Sequence, residues 1–225
     1  MTRVVCQFSC GAASAVATKL AIAQYGATHD VVIVNAFIHE EHDDNRRFLA
    51  DCERWFGRTV TVLRDEKHNA SALEVFRKRR YMKGLRGAPC SQALKRKVLD
   101  AFAHPDDIGV FGFTVEEIER FMDFKAHNPH RNVVSPLIEN GLSKSDCKAI
   151  IERAGIELPI MYRMGYANAN CIGCVKGGEG YFRAIRRDFP EQFEALAQVQ
   201  ECIGPGAYLF RNRKTGERYS LRDIP

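Results

Sequence analysis

Cys171–Ile172–Gly173–Cys174 is the sharpest chemical feature of this 225-residue chain. A two-residue spacer lets both thiolates face one centre, and Gly173 gives the loop freedom to wrap it. The flanks Asn168–Ala169–Asn170 and Lys176–Gly177–Gly178 are loop-forming and offer N–H donors that stabilise thiolate charge. Metal or cluster ligation by Cys171 and Cys174 needs a third ligand from elsewhere. Cys90, in Ala88–Pro89–Cys90–Ser91–Gln92–Ala93–Leu94–Lys95, opens an expected helix, where a thiolate is favoured. Cys202 or Cys10 is available as a fourth ligand. The spacing does not separate iron from zinc, and a redox disulfide or a chance pairing of cysteines is also open to it.

The chain has eight cysteines. Cys6, Cys52 and Cys147 lie in apolar periodic segments and are expected to be small buried hydrophobes. Cys10, Cys90, Cys171, Cys174 and Cys202 sit in loop-like or Gly/Pro-rich surroundings and are the candidates for chemistry.

A second feature is the turn Phe8–Ser9–Cys10–Gly11–Ala12–Ala13–Ser14, between an expected strand and helix. Small residues let backbone N–H groups approach an anion, and the helix N-terminus adds partial positive charge. Ser9 and Ser14 can hydrogen-bond the same anion. The turn has neither GxxxxGK[ST] nor GxGxxG. A third cluster, Glu40, Glu41, His42, Asp43 and Asp44, reads as a loop and helix cap, or as a divalent-metal site of no fixed geometry.

These residues must be carried by elements, and the first half of the chain alternates strand and helix signals. Strands are expected over 4–8, 31–37, 59–63 and 108–113. Helices are expected over 12–25, 43–56, 71–82 and 91–103, with a Gly-containing loop over 83–89. Such alternation implies βαβ units and a mainly parallel sheet. Further on, 114–124 reads as helix, 132–138 as extended around Pro136, 143–155 as a helix with Ser143 and Asp146 in a capping box, and 191–201 as helix. The residues from Tyr208 to Leu221 read as a hairpin. The expected division is a nucleotide-binding core over 1–140, a Cys-x-x-Cys helical region over 141–206 packed on it, and a tail over 207–225.

Hydrophobic residues make up 45% and charged residues 27%, as in ordinary globular proteins. No window approaches the ~20 apolar residues of a membrane span. The opening MTRVVCQFSC reads as a strand and not as a secretory signal, so a cytoplasmic location and no membrane partner are expected. The net charge of +5 comes partly from Arg77–Lys78–Arg79–Arg80, Lys95–Arg96–Lys97 and a basic tail. These runs read as solvated faces or as phosphate attractors.

The turn at Ser9, Gly11 and Ser14 resembles the pyrophosphate loop of the adenine-nucleotide α-hydrolase-like superfamily, Ser-Gly-Gly-x-Asp-Ser, with Cys10 and Ala13 departing from it. Asn35, followed by Glu41 and His42, is similar to that family's Asn-Thr-Gly…Glu-His segment. Cys90 with Lys95 resembles the Cys-x-x-x-Lys stretch of phosphoadenosine phosphosulfate reductase-like proteins. The order from Pro136–Leu137–Ile138–Glu139 through the Cys-x-x-Cys loop to Tyr181–Phe182 is also similar to theirs. The resemblance covers most of residues 4–195. It implies a doubly wound α/β sheet flanked by helices and an adenine nucleotide held by Ser9, Cys10, Gly11, Ala12, Ala13, Ser14, Asn35 and Lys95. It also implies a 4Fe–4S cluster, with zinc as the alternative, on Cys90, Cys171 and Cys174. Ala13 replaces the acid that helps ATP-cleaving members bind magnesium pyrophosphate, which favours the reductase-like branch.

In that branch a C-terminal cysteine in Glu-Cys-Gly-Leu/Ile-His attacks the sulfate sulfur. Glu201–Cys202–Ile203–Gly204 keeps the Glu and Cys without the His, so the resemblance assigns the catalytic role to Cys202. Lys95, Arg96, Lys176, Arg183 and Arg186 are candidate clamps for sulfate or phosphate. The implied activity is an oxidoreductase of the sulfonucleotide reductase type, with a thiol electron donor such as thioredoxin and a homo-oligomeric assembly. The alternatives are a cluster-dependent sulfur transferase thiolating a nucleobase or tRNA with ATP, and an inactive nucleotide-binding accessory subunit.

Overall fold

A computed structural model describes residues 2–85 and 87–225. Met1 and Arg86, which fall in the expected opening strand region and the expected loop over 83–89, lie outside the described residues. In chain order the elements are β1 (Arg3–Gln7), α1 (Ala12–Tyr25), β2 (Asp30–Ala36), α2 (Asp44–Phe56), β3 (Val60–Leu63) and α3 (Ala72–Arg79). A six-residue π-helical stretch, Ser91–Arg96, leads into α4 (Lys97–Phe102). Then come β4 (Ile108–Val110), α5 (Ile118–His127), β5 (Asn132–Val134), α6 (Pro136–Glu139), α7 (Lys144–Arg153) and α8 (Ile160–Arg163). The chain closes with α9 (Glu179–Asp188), α10 (Pro190–Ile203), β6 (Phe210–Arg211) and β7 (Arg218–Tyr219). Contacts group the chain into two compact units that are discontinuous in sequence.

The first unit comprises residues 1–36, 42–63 and 99–169. Its five strands pair in parallel in the order β3-β2-β1-β4-β5 and are flanked by helices, an α/β arrangement consistent with double winding. β1 is central because its inward run is wholly apolar: Val4, Val5 and Cys6 are buried on a strand covered on both faces. From β1 the chain winds outwards through β2 to β3, then returns on the other side as β4 and β5. The reversal of strand order therefore lies between β1 and β4, where open α/β sheets place ligands at the carboxyl ends of strands. Four residues separate β1 from helix α1. Ala12, Ala15, Ala17 and Ala21 are buried in it, so small side chains let its axis approach the sheet. The thiols of Cys6, Cys52 and Cys147 are fully buried, as expected of small hydrophobes.

The second unit comprises residues 37–41, 64–98 and 170–225. Here α10 packs on α9 and on α3. Fully buried Gln200 of α10 donates through Nε2 to the Ala207 carbonyl at 3.2 Å and accepts from the Leu221 N–H at 2.7 Å, fastening the tail to the helix. β6 and β7 pair antiparallel, the expected hairpin.

Several elements depart from expectation. The expected helix over 71–82 stops at Arg79, because Arg80 takes a left-handed conformation (φ 58°) that turns the chain and buries Met82. The stretch 132–138 is extended only to Val134. Pro136 then opens α6, a position where its missing N–H costs nothing. The expected strand over 108–113 pairs only to Val110. α8 and α9 were not anticipated: α8 has only four residues, and the glycines at 177, 178 and 180 mask the Phe182–Ile185 spacing that buries α9. Among the described residues, no helix is long and apolar enough to cross a membrane.

Gly112, just beyond β4, passes over the start of α1. A Cβ there would lie 2.9 Å from the Ser14 N and Cα atoms. Gly112→Ala is therefore expected to destabilise the protein by about 1–3 kcal/mol through overpacking against backbone, read as a lower urea midpoint.

Candidate functional site

The turn after β1 sits at the point where strand order reverses, and its interior is organised by Ser14. The Ser14 hydroxyl accepts from the Ser9 N–H at 3.1 Å and donates to the Gly11 carbonyl at 2.9 Å. Cys10 adopts φ 56°, a left-handed conformation that glycine takes freely and cysteine does not. The side chain is fully buried, and its Sγ is approached by Asn35 Nδ2 at 3.5 Å and Arg46 Nη2 at 3.7 Å. Asn35, buried at the end of β2, also donates to the Phe8 carbonyl at 2.8 Å. Asn35 and the Cys10 thiol thus shape the turn from inside. Ser9, Gly11, Ala12 and Ala13 supply the backbone at the mouth of α1, where the helix dipole favours an anion. The Tyr162 hydroxyl faces the same mouth, since a Cβ on Gly11 would meet it at 3.3 Å.

In the second unit, Cys90, Cys171, Cys174 and Lys95 share one electrostatic neighbourhood. The Cys-x-x-Cys segment is a β-turn in which the Cys174 N–H donates to the Cys171 carbonyl at 3.1 Å and Gly173 takes φ 75°. A turn of this kind holds its end Cα atoms within about 7 Å, which brings the two cysteines close in space. Two further bonds hold it. The Ile172 N–H donates to the Glu40 carbonyl at 2.8 Å. The Tyr181 hydroxyl donates to the Cys171 carbonyl at 2.9 Å and accepts from the Cys174 N–H at 3.1 Å. Tyr181 reaches the turn only because residue 177 is glycine, whose added Cβ would fall 2.2 Å from the ring.

Cys90 precedes the π-helical stretch and Lys95 lies five residues on. In an α-helix that separation would put them about 140° apart around the axis. Hydrogen bonding from i to i+5 instead stacks residues five apart. The Lys95 ammonium pairs with Glu41 Oε1 at 3.6 Å. Burial opposes its charge, but Cys171, Glu41, Cys174 and Cys90 together outweigh that and hold its pKa above the ordinary value. Burial also pushes the Cys171 thiol well above its usual range, against Lys95 and with Glu41, Cys174 and Cys90. Burial and then Cys174 raise Cys90 to about 11, against the Ser91 N–H, Lys176 and Lys95. In the absence of a metal Cys90 and Cys171 hold their protons at neutral pH. Among the described residues, no three His, Cys, Asp or Glu side chains are already arranged around a single metal ion.

The remaining candidates fall elsewhere. Cys202 is exposed on the last turn of α10. Arg186 is committed to the Ile224 carbonyl at 3.0 Å and stacks on Phe193. Arg96, Lys176 and Arg183 are exposed. Of the acidic cluster, Glu40 caps α3, accepting from the Ser71 hydroxyl at 2.6 Å and the Ala72 N–H at 2.7 Å. Asp44 binds Arg47 and the Ile160 N–H. Tyr181 and Tyr162 were absent from the site expected from sequence, and Glu41 was placed in the acidic cluster and not beside Lys95. Only the Gly177–Gly178 run ahead of Tyr181 hinted at a close approach.

Tyr181→Phe removes both hydroxyl bonds to the turn and is expected to destabilise the protein by about 1–3 kcal/mol, read as a lower urea midpoint. In chelator-treated protein at pH 8, exposed Cys202 should take up iodoacetamide first and Cys90 roughly a hundredfold more slowly. Since the Cys90 pKa is raised, its labelling should quicken as pH climbs towards 11, followed by peptide mass mapping. No protein-family model matches the chain, and no curated protein matches it.

Proposed function

We propose that the protein is an oxidoreductase of the sulfonucleotide reductase type, which binds an adenine sulfonucleotide and reduces its sulfur group with the help of an iron–sulfur cluster. The observation that carries this reading is that Cys90 and the Cys171–Cys174 pair, from two segments distant in sequence, share the one ammonium of Lys95, which also pairs with Glu41.

The donor set suits a cluster of iron and sulfide: three soft ligands, a neighbouring ammonium to offset their negative charge, and a turn stiffened by Tyr181 and Gly173. Cys90, Cys171 and Cys174 would hold it. When bound, it would supply a polarising inorganic centre. The turn at Ser9–Ser14 would take the phosphates at the start of α1, and Ala13 leaves it without the acid that pyrophosphate cleavage calls for.

Cys202 supplies the nucleophile. Its thiolate attacks the sulfate sulfur of the phosphosulfate, an S–O bond breaks, and the nucleoside phosphate leaves with the electron pair. The sulfonated Cys202 is then attacked at Sγ by a thiol of a donor such as thioredoxin. Sulfite leaves, and Cys202 and the donor share a disulfide that a second donor thiol resolves. Two thiols are oxidised while sulfur falls from the sulfate to the sulfite level, so electrons balance. Exposure of Cys202 at the end of α10 favours access by a protein donor.

Anaerobically purified protein should be brown, absorb at about 400 nm and contain about four irons and four sulfides per chain. Cys90→Ala or Cys171→Ala should lose the colour. With phosphosulfate and reduced thioredoxin the protein should release sulfite, and Cys202→Ser should keep the cluster but release none. Pyrophosphate from ATP in place of sulfite would replace this reading with nucleobase thiolation. Colourless protein with one zinc would remove the cluster.

A further inference from the structure

Residues 75–99 contain nine Lys and Arg and no Asp or Glu. The whole chain is +5, so this stretch of +9 leaves the remainder at −4. Part of the run has a local explanation. Arg77, Lys78 and Arg79 lie in the last turn of α3, where cations complement the helix dipole. Arg77 also pairs with Glu74, and Lys78 donates to the Lys67 carbonyl. That explanation ends with the helix.

Arg80 turns the chain out with φ 58°, and the segment continues to Gly84, which exchanges N–H to carbonyl bonds of 3.0 Å with Gly87 in an isolated antiparallel bridge. Arg79, Arg80 and Lys83 are exposed, and among the described residues no ion pair engages them. Crowding like charges into five residues with no acid nearby disfavours the folded chain. Two large apolar groups stand among these cations, Tyr81 at 41% exposure and Leu85 fully exposed.

We propose that residues 79–85 are a binding surface for single-stranded nucleic acid. Cations without acid partners hold phosphates, and an exposed ring between them stacks on unpaired bases. A duplex would satisfy the cations but hides its base faces from Tyr81, and a free mononucleotide offers too few phosphates to engage three cations and a ring. The same chain segment runs on to Cys90, seven residues beyond Lys83 and thus at most roughly 25 Å away. Exposed Arg96 and Lys97 follow. The surface goes beyond the reductase reading and does not rest on it.

The test is fluorescence anisotropy of the full chain with labelled oligonucleotides of about 20 nucleotides, RNA and DNA of one sequence, across a salt series. Three variants are compared: Arg79→Ala/Arg80→Ala/Lys83→Ala, Tyr81→Ala, and Arg213→Ala/Lys214→Ala as a control that removes exposed charge from the tail hairpin. All substituted positions are exposed, and thermal melting verifies folding. The triple variant should bind at least tenfold more weakly, with a log–log salt slope shallower by about 2. Tyr81→Ala should lose about tenfold with its slope unchanged, and the control should stay within about twofold of the unaltered chain. Tight binding of either oligonucleotide with this pattern supports the surface. The proposal is overturned if the unaltered chain does not bind, if the control loses as much as the triple variant, if Tyr81→Ala has no effect, or if phosphatidylserine vesicles compete as strongly as oligonucleotide. Failure of the cluster reading would appear in the iron and sulfide counts and leave these affinities untouched.

Discussion

A half-exposed ammonium facing three thiols and a buried carboxylate sets the terms for the second unit. Lys95 lies where desolvation disfavours its charge; the sulfurs favour that charge once they ionise, and the Glu41 carboxylate favours it throughout. The reverse holds for the sulfurs: without an inorganic partner, burial keeps Cys90 and Cys171 protonated in spite of Lys95. The arrangement is balanced for negative sulfur but is not filled by the protein's own charges. A metal taken up there would have to displace those protons, which would couple its affinity to pH through the thiols themselves.

Each part of that neighbourhood is fixed by a backbone device. A turn with positive φ at Gly173 presents Cys171 and Cys174, and Tyr181 bridges its two ends. A π-helical stretch aligns Cys90 with Lys95, two residues that an ordinary helix would direct apart. In the first unit, the turn after β1 depends in the same way on conformations that its residues disfavour. Cys10 is held left-handed by Asn35 and Arg46 at its sulfur, and Gly112 leaves room for the start of α1.

Much of this was legible in the residues. The parallel sheet followed from apolar runs alternating with helical periods, and α1 begins at Ala12 and ends at Tyr25 as its pattern indicated. The capping box at Ser143 and Asp146 and the C-terminal hairpin were equally readable, because each rests on contacts within a few positions. What escaped depends on distant partners. Nothing local shows that Arg80 will turn left-handed to bury Met82, or that residues 91–96 will widen into a π-helix. Asn35 was expected at a nucleotide through its resemblance to the family's Asn segment, and nothing local showed that its amide would also donate to the Phe8 carbonyl and the Cys10 sulfur. Tyr181 left no periodic trace, since its role is a hydroxyl aimed at a backbone ten residues behind it. Cys90, Cys171 and Cys174 could be nominated by residue type, but their sharing of Lys95 could not.

Glu40 joins two features through one residue. Its carboxylate secures the first N–H groups of α3, while its carbonyl holds the Ile172 amide inside the Cys-x-x-Cys turn. Fraying of α3 from its N-terminal end would pull on the same five-residue segment that anchors the turn. The helix and the sulfur-bearing loop are thereby made to open as one cooperative element, and whatever stiffens either one slows the opening of both.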